Sequence, residues 1–281
     1  MLETNLLTII FALGAMVTWG SGDFVGGFVT KRHPVYSTLL TGQLIGIIPF
    51  LILALYFEFF IPRLDDMLLS CVAGFGGMIG LLNLYSGLAK GRMSVVAPLT
   101  AITASIIPVF VGIFTEGVPT FIQITGFFIA IMAVWLLSSN GRKLDITAIE
   151  LRFALTSGLG FATFLIFIDQ ISGETALWPL LAARFVSVTI LSFYIISRGS
   201  WKPPTKALLP LIALTGLFDM MGSYFFIIAA HVGRLDIATI ISGLYPAVTV
   251  ILAWFILKER LKISQWFGVA AALISVAMIA L

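Results

Sequence analysis

The chain has one cysteine, Cys71, and two histidines, His33 and His231. A single thiol inside an apolar run can close no intramolecular disulfide, and two distant histidines fit no metal-ligand spacing. Charge is scarce as well: Asp, Glu, Lys and Arg make up 10% of 281 residues, against about 25% in a soluble domain. There is no phosphate-binding loop, no His-Glu-x-x-His helix and no Ser-His-Asp candidate set, so ATP hydrolysis and triad or zinc-protease chemistry have no footing. The net charge is +3 and the pI is near 9.1. The positive residues stand singly or in pairs between apolar runs, however, and form no patch dense enough for nucleic acid. The first residues, Met1 to Asn5, lack a cationic region, and the apolar run after them is too long for a signal peptide, so it reads as a first span.

What the chain has in abundance is apolar surface. Hydrophobic residues make up 60% and mean hydropathy is +1.11. A soluble protein of this length buries only about three quarters of its unfolded area, which leaves too much apolar surface facing water. Lipid is therefore the expected solvent. A helical crossing needs about 20 apolar residues, and helices satisfy their backbone groups internally. Apolar runs bounded by charge, Pro or turn residues fall at about 5–29, 35–57, 66–89, 94–114, 119–138, 151–171, 177–197, 206–230, 236–256 and 263–281. The expected fold is all-α: ten transmembrane helices with short loops. Gly20 and Gly22 mark a possible break in the first. Odd-numbered loops carry Lys31, Arg32, Lys90, Arg92, Arg142, Lys143, Arg152, Arg198, Lys202, Lys206, Lys258, Arg260 and Lys262, whereas the other side carries Arg63 and Arg234. The positive-inside rule then places both termini on the extracytoplasmic side.

Sliding the sequence along itself reveals an internal repeat. Each residue is set against the one 142 positions later, so that Phe11-Ala12-Leu13 falls on Phe153-Ala154-Leu155. In the same register Gly74, Met78 and Gly80 fall on Gly216, Met220 and Gly222, and Gly91-Arg92 falls on Gly233-Arg234. Gln123 and Gly126 meet Gln265 and Gly268. The chain reads as two five-helix units, 1–139 and 143–281. Five is odd, so the second unit is expected upside down relative to the first, around a central cavity. Inverted repeats are a transporter architecture with the substrate site near the midplane.

Further motifs carry a family resemblance. They are Trp19-Gly20 in the first span, Gly91-Arg92-Met93-Ser94-Val95-Val96-Ala97-Pro98 opening the fourth, Pro246, Lys258-Glu259-Arg260-Leu261, and Gln265-Trp266-Phe267-Gly268. Their order over both halves resembles the drug/metabolite transporter superfamily, EamA type. The resemblance implies a ten-helix metabolite exporter whose cavity is lined by helices one to four of each half. The first half departs from it, with Glu116-Gly117-Val118-Pro119 where the second has the fuller motif.

Ionisable residues inside spans are functional candidates, because an unpaired charge in hydrocarbon costs about 2.5–3.5 kcal/mol or more. Asp219 lies about 20 Å into its helix at 1.5 Å per residue, near the midplane, and is the first candidate for proton coupling. Asp23 is the second, although its position suggests a shallower depth, closer to Lys31 and Arg32. Arg184 keeps its proton and can grip a substrate carboxylate or phosphate, or pair with Asp219 or Asp169. Asp169 and Glu174 read as interfacial. The polar candidates for substrate contact are Gln43, Asn83, Tyr85, Tyr224 and Tyr245, with Trp19 as a stacking wall. Thr100, Thr103 and Ser242 can as readily bond to backbone carbonyls. Trp178, Trp201 and Trp266 read as an interfacial belt. Pro98, Pro108 and Pro246 free carbonyls and are hinge candidates.

The pairs Gly22/Gly26, Gly42/Gly46 and Gly76/Gly80 have close-packing spacing. The Gly74–Gly80 run superficially resembles a dinucleotide fingerprint but follows no strand.

The leading expectation is a secondary transporter of the inner (plasma) membrane, a proton-linked exporter of small metabolites such as amino acids or related amphipathic compounds. A flippase for lipid-linked sugar or phospholipid is the alternative, and a membrane sensor or structural component is a remoter one. An intramembrane aspartyl enzyme would need Asp23 and Asp219 at one depth. The expected partners are a small-molecule substrate and the bilayer, with no nucleic acid, metal or cofactor; monomer and homodimer stay open.

Overall fold

The structure, a computed structural model, describes residues 2–58, 63–91, 93–138, 146–172, 175–258 and 262–279. Arg92, Arg142, Lys143, Glu174, Glu259, Arg260, Leu261 and the junction between the two expected units lie outside them. Among the described residues the secondary structure is helical throughout. The first half contributes α1 (Leu2–Thr30), α2 (Val35–Phe57), α3 (Leu64–Lys90), α4 (Met93–Glu116) and α5 (Phe121–Ser138). The second contributes α6 (Ala148–Asp169), α7 (Leu177–Arg198), α8 (Leu209–Val232), α9 (Leu235–Ser242), α10 (Tyr245–Leu257) and α11 (Ile263–Ile279).

Among the described residues, eight segments are long and apolar enough to cross a membrane: α1 to α4, α6 to α8, and α9 with α10 taken together. Phe121–Leu137 and Ile263–Ile279 are shorter apolar helices. Large apolar side chains cover the outside, among them Phe114, Phe121, Phe193, Ile196 and Phe255. This is the surface expected where the solvent is lipid, which has no reason to drive such side chains inward.

The helices interlock between the halves. The broadest contacts are α1 with α8 and α3 with α6, followed by α5 with α11. Moving each residue 142 positions exchanges the first two contacts for one another, and α2–α8 for α3–α7. Small residues allow this approach. A Cβ on Gly46 would stand 2.6 Å from the Gly216 carbonyl oxygen, and one on Gly160 would stand 2.5 Å from the Gly80 nitrogen. In a bilayer such contact is a principal source of helix association.

The break in the bundle falls not in the first span but in the ninth, beside Pro246, one of the three prolines read as freeing carbonyls. Helix α1 runs unbroken through Gly20 and Gly22. Gly20 serves close packing instead, since a Cβ there would stand 2.5 Å from the Tyr245 carbonyl oxygen. The interruption lies between α9 and α10. There the Gly243 and Leu244 amides turn back onto Thr239 and Ile241, and Pro246 has no N–H for the Ser242 carbonyl. Pro98 and Pro108 sit inside α4, which stays continuous. The two halves therefore differ at this element.

One end of the bundle is tied by hydrogen bonds between loops and helix starts. Glu58 accepts from the Ala176 and Leu177 amides at 2.9 Å each and from Trp178 at 3.2 Å, which caps α7 from another helix. Asp66 accepts from the Ser172 amide and hydroxyl. Glu116 accepts from the Leu235 amide at 3.1 Å. Arg234 bonds to Asp236 and to the Glu116 and Gly117 carbonyls. Its hydrogen bonds to Asp236 push its pKa above the ordinary arginine value. At the other end the Lys202 amide donates to Ser37, and the α3–α4 link packs on Glu150, which closes the capping box of α6 with Thr147.

Candidate functional site: a central cavity

Between the halves lies a cavity with about 690 Å³ of space between its walls, the open solvent at its mouth included. Its walls follow the repeat. Trp19 and Phe161 both line it, as do Gly22 and Phe164, Asp23 and Leu165, Gly77 and Asp219, Leu81 and Ser223, and Ala101 and Gly243. In each pair the second residue is the repeat equivalent of the first. The cavity therefore sits on the axis that exchanges the halves.

Its chemistry breaks that symmetry. The equivalents of Asp23 and Asp219 are the uncharged Leu165 and Gly77, and Arg184 corresponds to Gly42. The repeat supplies a hollow, and one set of substitutions charges it.

Asp219 on α8 and Arg184 on α7 are joined, with Arg184 Nη2 3.0 Å from Asp219 Oδ2. The same nitrogen donates to Ser223 Oγ at 2.8 Å, and Ser223 donates to the Asp219 carbonyl one helical turn back. The guanidinium carbon also lies 5.8 Å from the Phe164 ring centroid. Of the readings left open for Arg184, the structure shows the internal pair with Asp219.

Asp23 lines the same cavity, contrary to the shallower depth expected for it. Distance along a helix from its end is a poor measure of depth when helices tilt and cross. Helices α1 and α8 touch at this level, and a Cβ on Gly22 would lie 3.8 Å from the Asp219 amide nitrogen. The Asp23 side chain is buried, with 8% of the residue exposed. No hydrogen bond or ion pair is made by it among the described residues.

Other candidates reach the cavity too. Trp19 stacks on Phe226 at 5.7 Å between centroids, which holds its ring in place. The hydroxyls of Tyr85 and Tyr245 donate to the Gly22 and Ala97 carbonyls at 3.5 and 3.3 Å. Ser242 also lines the cavity. Gln43 lies beside it, in a smaller recess shared with Tyr85 and Asp219, and accepts from Ser187 at 2.8 Å.

The remaining candidates serve the bundle. Asn83 donates to the Ile79 carbonyl within α3. Tyr224 packs edge-on against Phe50. Thr103 bonds to Leu99, and Thr100 bonds across to Ala154. Among the tryptophans, Trp178 donates its indole N–H to the Glu58 carbonyl, and Trp266 meets Trp254 edge-to-face.

Phe161, Phe164 and Ser223 line the cavity and were absent from the sequence-based candidates. A signal existed for each: they are the repeat equivalents of Trp19, Gly22 and Leu81. No group of His, Cys, Asp and Glu able to hold a metal ion occurs among the described residues.

The model of the EamA-like transporter family matches residues 6–139 and again 149–281. A Methanocaldococcus jannaschii protein described as uncharacterized is 30% identical over 131 residues. That match takes in 95% of the relative and 46% of this chain, so the relative is about the size of one half. A solved crystal structure superposes with a TM-score of 0.80 at 12% identity, over 96% of this chain and 95% of its own. At that identity the likeness concerns the fold alone.

Proposed function

The chain belongs to the EamA-like transporter family, and from that premise we propose a secondary transporter that carries a small amphipathic solute through the central cavity. Six pairs of repeat-equivalent residues lining one hollow are the observation that carries this reading. A site on the axis between two similar halves can open to either side as the halves rock. Ten crossings result if α9 and α10 form one broken span and the two shorter helices, α5 and α11, also cross. The second unit, 143–281, is then inverted relative to the first, 1–139.

Both termini face the extracytoplasmic side in this arrangement, in an inner (plasma) membrane. Arg63 and Arg234 lie at that end, where Arg234 is bonded to Asp236 and Glu116, and the other loop lysines and arginines of the sequence fall at the opposite end. Glu116, Arg234 and Glu58 tie that end of the bundle together, and export is the proposed direction.

Asp23 and Asp219 are the carboxylates for proton coupling. Asp23 ranks first because Asp219 is already joined to Arg184. Trp19, Tyr85 and Tyr245 wall the solute, Gln43 lies beside its polar side, and Arg184 holds Asp219 in place. The α9–α10 break at Gly243 and Pro246 is the hinge in one half, with the Pro98 and Pro108 stretch of α4 opposite it. A flippase for phosphorylated lipid would call for several cations in its groove, and Arg184 is the one arginine or lysine among the residues that line this cavity.

The test is uptake of a pooled metabolite panel by everted vesicles or proteoliposomes, read by mass spectrometry with and without a pH gradient. Gradient-dependent accumulation that Asp23→Asn abolishes supports coupled transport. Accumulation indifferent to gradient and variant removes the coupling, and no accumulation of any compound removes the transporter reading.

A further inference from the structure

We propose that the solute held in this cavity is a lipophilic monocation, an amine with a small aromatic or branched body, whose ammonium is bound by Asp23. This rests on the transporter reading and names the class of its substrate.

The argument begins with charge. Among the residues that line the cavity two are acidic, Asp23 and Asp219, and one is basic, Arg184. Arg184 and Asp219 form an ion pair at 3.0 Å, and Arg184 is held further by Ser223. That leaves Asp23. It is more than nine-tenths buried, faces the hollow, and makes no hydrogen bond or ion pair among the described residues. The two nearby phenols do not serve it, since each is aimed at a backbone carbonyl. A carboxylate in apolar surroundings is strongly disfavoured unless a partner neutralises it. Its neutralising partner carries one positive charge: a proton when the cavity is empty and, in this proposal, the solute's ammonium when it is loaded.

The net charge of the site separates the alternatives. A zwitterionic amino acid brings a carboxylate along with its ammonium. Its only cationic partner would be Arg184, which would have to leave Asp219, so one carboxylate stays uncompensated whichever pair forms. An anion fares worse. A bare metal cation needs several oxygen ligands, and most of the wall is carbon. Trp19, Phe161 and Phe164 line the hollow, and aromatic walls suit both an apolar body and an ammonium group.

The test uses three probes with one skeleton. Phenethylamine is a cation, phenylalanine a zwitterion and phenylacetate an anion. Each is titrated into the purified full chain in lipid nanodiscs by calorimetry, and sodium chloride is titrated alone as a fourth arm. The proposal expects phenethylamine to bind at least tenfold tighter than the other two. It also expects Asp23→Asn to lose at least tenfold of that affinity and Asp23→Glu to retain most of it. Equal or tighter binding of phenylalanine or phenylacetate overturns it, as does sodium binding that excludes the amine, or amine affinity unchanged in Asp23→Asn. The wild-type ranking decides the question even if the Asn variant does not fold.

Proteoliposome flux then separates the two layers of argument. Transport of uncharged or zwitterionic metabolites without transport of phenethylamine sinks the cation class and keeps the transporter. Binding of the amine with no flux of any solute sinks the transporter and keeps the cation site.

Discussion

Removing Arg184 is the sharpest test of how the cavity is held together. Its guanidinium has 5% side-chain exposure and its partner Asp219 has 14%, so neither charge has water to fall back on. Breaking such a buried pair by deleting one member costs about 3–5 kcal/mol, because the other charge is left stranded. Arg184→Ala also loses the bond to Ser223, worth about 1 kcal/mol, and leaves Asp23 and Asp219 together in one hollow. Asp219→Ala strands an arginine that is still more deeply buried. Each single variant is therefore expected to lose about 3–5 kcal/mol. The double variant Arg184→Met with Asp219→Leu removes both charges and restores apolar volume, and is expected near wild type.

The coupling energy of such a cycle should be about 3 kcal/mol or more. The assay is denaturant or thermal unfolding in matched micelles. At roughly 2–4 °C per kcal/mol for a chain of this size, each single variant should melt about 6–20 °C lower. Losses below about 1 kcal/mol, or single effects that simply add in the double variant, would refute the claim that this pair is a buried mutual neutralisation.

Other consequences follow from particular contacts. Gly216→Leu drives a side chain into the Gly42 backbone between α2 and α8; overpacking of this kind costs about 1–3 kcal/mol, read as lower thermal stability, whereas Gly117→Ala meets no neighbour and strains only a positive φ of 88°. Glu58→Ala uncaps α7, with an expected loss of about 0.5–2 kcal/mol and faster amide exchange confined to Ala176–Trp178; unchanged exchange there would show that the cap is dispensable. In a Cys71→Ser background, a cysteine at Arg63 should react with an impermeant maleimide from outside the cell and one at Lys202 only from the cytoplasm. The opposite pattern inverts the topology. Pro246→Ala supplies an amide for the Ser242 carbonyl and should slow transport more than it changes solute affinity, if the α9–α10 break is the moving part; affinity lost in step with rate would assign Pro246 to cavity shape.

Much of this was legible in the sequence because lipid removes choices. A chain with 60% hydrophobic residues and no water to satisfy its backbone must form long helices, and span positions follow from where the apolar runs stop. The 142-residue register was equally legible, since Gly74/Gly216 and Gly80/Gly222 preserve close packing that side-chain volume would forbid. The same register foretold Phe161 and Phe164 as cavity walls once Trp19 and Gly22 were known to be there.

Depth and partnership were not legible. Asp23 and Asp219 seemed to belong to different levels because their distances along separate helices differ, and only the crossing of α1 over α8 brings them to one hollow. The expected break in the first helix is absent for a related reason. Gly20 and Gly22 carry the composition of a hinge, but neighbouring groups fill the space beside them, while Pro246 offers no amide to the Ser242 carbonyl. Sequence by itself determined the solvent, the secondary structure and the twofold plan, which depend on composition and local period. Tertiary structure alone decided which charges meet, because contacts between helices far apart in the chain pair Arg184 with Asp219 and leave Asp23 without an ion pair among the described residues.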